Sequence, residues 1–148
     1  MAGDPRLIGL LTRALNHELS AVQQYLAQAR LAELWGDAAT GQRFRDDVAA
    51  ELRHADQLLE ALLSHGAAPG ATQLSPVRLA ADLRGILETD RRLELEAVHL
   101  YEEAAQYCAR LRNAPACELF NRILEDEISH IKELDEWLST LPRERAHA

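Results

Sequence analysis

Residues in the first half of the chain return 76 positions later in the second. Glu18 recurs as Glu94, Tyr25 as Tyr101, Glu51 as Glu127 and His54 as His130. Leu19/Leu95, Ala21/Ala97, Val22/Val98 and Leu58/Leu134 keep the same offset. A fold for this chain must therefore accommodate one unit twice, related by an approximate two-fold axis. The spacing of apolar residues makes that unit helical. Leu7, Leu11, Leu15, Leu19, Val22, Leu26 and Ala29 recur at the 3.6-residue period of one helix face. Ala, Leu, Glu, Arg and Gln dominate, and all are strong helix formers. Aromatics at 5% of the 148 residues cannot supply a many-stranded β protein.

Asp4-Pro5 reads as a helix N-cap followed by proline in the first turn. Breakers follow at Gly36, across Gly66, Pro69, Gly70, Ser75 and Pro76, at Asn113-Ala114-Pro115, and at Pro142. The pattern predicts one all-α domain over 1–148. Its helices span about 5–35, 40–64, 82–112 and 114–141, with a crossover over 65–81 and a tail over 142–148. Short first and third connections make two antiparallel hairpins. At ~3.3 Å per residue the crossover reaches ~50 Å, enough to run the length of a ~37 Å helix. The second and third helices can then run parallel. The expected architecture is a four-helix bundle with one long crossover.

Two Glu-x-x-His pairs, Glu51–His54 and Glu127–His130, lie mid-helix, and residues three apart share a face. Glu18 and Glu94 lie mid-helix on the other two elements, so all six meet at one height in the core. Glu96–His99 has Ser20 and Gln23 at the matching places and is read as a non-ligand. Glu144–His147 lies beyond the bundle. Buried carboxylates without partners cost several kcal/mol each. Four Glu carry a charge that two divalent cations balance, which predicts a dinuclear centre. Carboxylate and imidazole donors suit iron or manganese. One Glu from each of two helices plus Glu-x-x-His from each of the others is the donor set of di-iron carboxylate bundles. Crowded carboxylates in a metal-free site should have raised pKa values. On that reasoning Glu94→Gln should stabilise the apo form.

Other function classes are excluded by composition. A net charge of −8 does not suit nucleic acid. Two cysteines cannot build a four-thiolate site, and Cys108 and Cys117 are expected as free thiols. No window carries 18 apolar residues, and the N-terminus does not read as a secretory signal, so neither membrane insertion nor export is expected and the expected address is the cytoplasm.

At these residues the chain resembles the bacterioferritins. The likeness runs from Met1 to about Leu141. It includes Gly3-Asp4, Asn16-His17-Glu18-Leu19, Gln24-Tyr25, Trp35-Gly36, Glu51-x-x-His54-Ala55-Asp56, Asp90, Leu93-Glu94 and Asp126-Glu127-x-x-His130-Ile131. The resemblance implies a ferritin-like fold and a hollow homo-oligomeric shell. Such a shell oxidises Fe²⁺ with O₂ or H₂O₂ and stores ferric mineral. It implies two iron ions per subunit, with manganese or zinc as substitutes. Their ligands would be Glu18, Glu51, His54, Glu94, Glu127 and His130. Glu51 and Glu127 would bridge the ions, and Glu18 and Glu94 would be terminal. It also implies a functional Tyr25. Three places depart from the family. Leu52 stands where a methionine usually binds haem, and Met1 is the only methionine, so methionine-ligated haem is not expected. A fifth helix is not evident after Pro142, so a twelve-subunit shell stays open beside the usual twenty-four. Asp46 and Ala50 replace a His and an Asp that some members carry on the inner surface.

Tyr101 is read as a core aromatic with a local hydroxyl partner. Asp90 and Asp126 are read as surface carboxylates, either of which could also support a metal-bound histidine. Trp35 and Trp137 are read as packing or subunit-contact residues. Three other functions compete with storage. A rubrerythrin-like di-iron peroxidase normally adds a four-cysteine iron domain or extra Glu ligands. An oxygenase needs room for a substrate channel. A purely helical interaction module would leave its buried carboxylates unbalanced.

Overall fold

Each helix begins where a short polar side chain can accept the orphan N–H groups of its first turn. In a computed structural model, which describes residues 3–70 and 73–143, four residues do this. Asp4 caps α1 (Pro5–Leu34), Asp37 caps α2 (Ala38–Ser64), Asp82 caps α3 (Leu83–Arg110) and Asn113 caps α4 (Ala114–Thr140). The second helix starts two residues before the sequence reading placed it. Asp37 accepts from Thr40 N at 3.0 Å and from Thr40 Oγ1 at 2.6 Å, which pulls Ala38 and Ala39 into the first turn. The first and third helices end slightly earlier than read. Gly36 (φ 85°) and Arg112 (φ 57°) take the left-handed conformation that closes a helix C-terminus. In both closures an amide bonds back to the last turn, Asp37 N to Ala32 O and Asn113 N to Cys108 O.

The helices form the expected all-α bundle, α1 packing on α2 and α3, and α4 on α3 and α2. The contacts Glu18–Tyr101, Tyr25–Glu94 and Gln28–Asp90 run in opposite senses along α1 and α3. These helices are therefore antiparallel, and α2 and α3 run parallel across the connection between them. Side chains of α1 hold that connection. Ser20 Oγ accepts from Ser75 N at 2.9 Å, while Gln24 grips both the N–H and the carbonyl of Arg78.

Two apolar clusters fill the interior. The larger gathers Leu7, Leu11, Leu15, Leu58, Tyr101, Phe120 and Ile123 toward one end. The smaller gathers Ala29, Phe44, Ile86, Leu87 and Leu134 toward the other. Phe44 also packs on Trp137, with ring centroids 5.6 Å apart. The donors predicted from the sequence lie between the two clusters. Cys108 and Cys117 are free thiols. No helix of the described residues is long and apolar enough to cross a membrane.

Candidate metal centre

A helix carries residues three apart on one face, and the bundle brings four such faces together. Glu18 (0% exposed), Glu51 (1%), Glu94 (2%), Glu127 (1%) and His54 (4%) are buried. The His130 side chain keeps 18% of its surface. Their donor atoms form two overlapping groups, each within 4.8 Å: Glu18, Glu51, His54 and Glu127 in one, Glu51, Glu94, Glu127 and His130 in the other. Glu51 and Glu127 belong to both. All six sequence-predicted donors are thus at one place, and the two read as bridging lie between the other pairs.

The donors are arranged for a cation. Glu18 Oε2, both oxygens of Glu51, Glu94 Oε2, Glu127 Oε1 and His54 Nδ1 are buried without a hydrogen-bond partner. Unpaired polar atoms of this kind cost about 1–3 kcal/mol each, so an ion that they surround has six of them to satisfy. His54 Nδ1 lies 3.1 Å from Glu127 Oε1 and 3.4 Å from Glu51 Oε2, while His130 Nδ1 lies 3.5 Å from Glu51 Oε1. These separations leave both imidazoles facing the shared carboxylates.

Protons neutralise the centre when metal does not. Burial and the Glu51 charge push Glu18 up to about 8, and burial and Glu94 push Glu127 up to about 11. Burial also opposes ionisation of Glu51 and Glu94, but close neighbours hold both below the usual carboxylate range. For Glu51 these are Glu18 and the two histidines; for Glu94 they are Glu127, His130 and Tyr25. Burial disfavours a charged imidazole, yet Glu127, Glu18 and Glu51 hold His54 protonated, and Glu51 and Glu94 raise His130 to about 11. These directions let imidazolium and carboxylate charges offset one another. The crowding therefore raises some carboxylates as expected, but Glu94 is not one of them. On these directions the stabilising Glu→Gln exchange is expected at Glu18, whose charge is opposed by burial and by Glu51, more than at Glu94.

Two neighbours, Tyr101 and Asp90, differ from their sequence reading. Tyr101 does not bond locally: its hydroxyl donates to Glu18 Oε1 across the bundle at 2.5 Å. Tyr25 donates to Glu94 Oε1 in the mirror arrangement, as its reading beside the metals anticipated. In each carboxylate the oxygen not held by tyrosine is the unpartnered one. Asp90 is not a surface carboxylate. It is 1% exposed and its Oδ2 accepts from Gln28 Nε2 at 2.8 Å. Gln28 Oε1 accepts in turn from Gln24 Nε2 at 2.7 Å. Asp126 does lie on the surface, and it also faces His54 Nε2 at 2.9 Å, which orients the ring with Nδ1 toward the carboxylates. Glu96 and His99, set aside by the repeat, are exposed.

With this geometry established, similarity to known proteins is decisive. The model of the ferritin-like domain matches residues 8–144. The chain is 34% identical to a bacterioferritin of Rhodobacter capsulatus over 143 residues, covering 97% of this chain and 89% of that protein. It belongs to the bacterioferritin family of ferritin-like proteins. A bacterioferritin of Brucella melitensis is 32% identical over the same shares of the two chains. Among solved structures, the 2.6 Å structure of the R. capsulatus bacterioferritin superposes with a TM-score of 0.91 at 31% identity. That match covers 99% of this chain and 100% of that one. That protein has a metal-free dinuclear site and a haem iron in a crystallographic special position.

Proposed function

We propose that this bacterioferritin-family chain stores iron and oxidises it on the way in. Fe²⁺ is the substrate, and Glu18, Glu51, His54, Glu94, Glu127 and His130 hold two ions of it. The observation that carries this reading is the pair of overlapping donor groups that share Glu51 and Glu127. Two carboxylates common to both groups hold a pair of ions close together, as a two-electron oxidation requires. Two Fe²⁺ become two Fe³⁺, and their two electrons reduce O₂ to H₂O₂ or H₂O₂ to water.

The residues have distinct tasks. Glu51 and Glu127 bridge the two ions. Glu18 and Glu94 each offer one free oxygen, the other being held by Tyr101 or Tyr25. The two Nδ1 atoms complete the positions. The larger apolar cluster keeps bulk water from the Glu18–His54 side of the centre and strengthens each electrostatic contact there. Manganese or zinc would fit the same oxygen and nitrogen donors.

Storage needs a shell, and the outer faces suit one. Leu26 (46% exposed), Trp35 (46%) and Leu52 (48%) leave apolar surface on the α1–α2 hairpin for a second copy to cover. Haem held by methionine does not fit here. Leu52, where the family resemblance places that ligand, has a hydrocarbon side chain with no donor atom.

The test is aerobic loading with Fe²⁺, followed by metal analysis and light scattering. Rapid oxidation at two ions per chain, then uptake well beyond two into a large homo-oligomer, is the expected result. A monomer or dimer that never exceeds two ions per chain would overturn the storage reading. Saturation at one ion would overturn the dinuclear one.

A further inference from the structure

The repeat makes the donors equal but not their surroundings. A cleft of about 140 Å³ reaches Tyr25, Glu94 and His130, and is further lined by Asp47, Asp90 and Trp137. Tyr101, Glu18 and His54 do not line it. At the places equivalent to Asp90, Gln28 and Gln24 the other end of the centre has Ala14, Ala104 and Leu100. All three belong to the larger apolar cluster, as does Ile123, the equivalent of Asp47. One end of the centre is polar and open, and the other is apolar and closed.

The histidines differ in the same direction. His54 has the Asp126 carboxylate behind its ring at 2.9 Å. The equivalent place behind His130 is Ala50, which has no acceptor side chain. Among the described residues His130 makes no side-chain hydrogen bond from its outer nitrogen, and it is more exposed than His54. A carboxylate that orients a metal-bound imidazole is typically worth 10- to 100-fold in metal affinity. A ring without one turns more freely, and a donor facing a cleft can be replaced by water.

We propose, building on the dinuclear reading above, that the two ion positions are kinetically unequal. The Glu18–His54 position retains its ion, and the Glu94–His130 position exchanges. Tyr101 and Asp126 are the positioning residues of the retained position. Tyr101 fixes Glu18 with its free oxygen inward, and Asp126 fixes the His54 ring. Each catalytic cycle would then use one held ion and one renewed from the cleft.

The test uses the full chain loaded with two equivalents of Co²⁺, whose visible spectrum reports coordination. Excess chelator is added and release is followed. The expected record has two phases of equal amplitude, about 10-fold or more apart in rate. Tyr101→Phe and Asp126→Asn should accelerate the slow phase alone, and Tyr25→Phe the fast phase alone. Asp126 is 62% exposed, so Asp126→Asn keeps the test open even where Tyr101→Phe disturbs folding. A single release phase from wild type carrying two Co²⁺ overturns the inference and leaves the dinuclear reading intact. A slow phase indifferent to Asp126→Asn also overturns it. Wild type that binds fewer than two Co²⁺ overturns the dinuclear reading instead.

Discussion

The α1–α2 and α3–α4 hairpins carry the same Glu and Glu-x-x-His at the same register, yet the polar groups that support those residues differ. Asp37 and Asn113 cap equivalent helices, but Gly36 corresponds to Arg112 and Gln28 to Ala104. What the repeat keeps is what an ion would touch, the tyrosine that orients each terminal carboxylate, and apolar positions such as Leu19/Leu95 and Leu58/Leu134. What it lets go is the outer support, the access and the turn. The likeness is therefore chemical, and the differences decide how each half performs.

The largest expected effect breaks both halves at once. Glu51→Ala or Glu127→Ala removes an oxygen pair common to both donor groups, and the initial rate of Fe²⁺ oxidation should fall at least about 100-fold. Glu96→Ala and His99→Ala, on the exposed side of α3, should leave it within about two-fold. Equal losses in both sets would show that the repeat does not mark the centre.

Next in size is the proton count. Near pH 7 burial and crowding favour protons on Glu18, Glu127, His54 and His130 in the metal-free centre. Two divalent ions must displace them. Zinc titration in weakly buffered solution should release about four protons per chain at pH 7, and fewer above pH 8, where Glu18 ionises on its own. Release of two or fewer would mean that the carboxylates are already charged.

The halves should also part in apo stability. A carboxylate raised in the folded state loses stability as pH climbs from its unfolded value near 4.5 to its folded value, about 8 for Glu18. Glu94 is lowered, so its contribution is present above 4.5 and lost in acid. At pH 7 Glu18→Gln should raise the apo melting temperature by several degrees, about 1–3 kcal/mol. The equivalent Glu94→Gln should lower it. Melts that move together would remove this distinction between the two glutamates.

Smaller still are two exchanges between the halves. Ala50→Asp gives His130 the kind of acceptor that His54 has in Asp126, and should slow release from the exchanging position up to about 10-fold. Arg112 holds φ 57° where its equivalent is a glycine. Arg112→Gly should therefore stabilise the fold by about 0.5–1 kcal/mol in chemical denaturation, and Gly36→Arg should destabilise it by about 1 kcal/mol.

The helices and six donors were readable because their signals are local or periodic. A 3.6-residue stripe, a breaker and a three-residue spacing need no knowledge of distant contacts. Tyr101 was also visible through the repeat, but its partner was not. Pairing it with Glu18 requires knowing that α1 and α3 are antiparallel, which the repeat alone does not say. The burial of Asp90 is not legible because isolated aspartates are usually exposed, whereas here Gln28 from another helix bonds one of its oxygens. The start of the second helix is not legible because Asp37 sits in a turn and its cap bonds form only in three dimensions. Which glutamates hold protons depends on separations of an ångström or so, and no spacing in a sequence encodes those.

Among the described residues the connection between α2 and α3 contributes no donor to the centre, and α1 holds it by a serine hydroxyl and a glutamine amide. Covalent continuity at that strap is thus separable from the chemistry. A chain cut there becomes two helical hairpins, each with half of the donors and too much exposed apolar surface to stand alone. The fragments should complement one another in trans, and a divalent ion should tighten their association, because the ion then acts as the clasp of a heterodimer. In that form the centre would be an interface between two molecules, the same arrangement that a single hairpin would reach by pairing with its own copy.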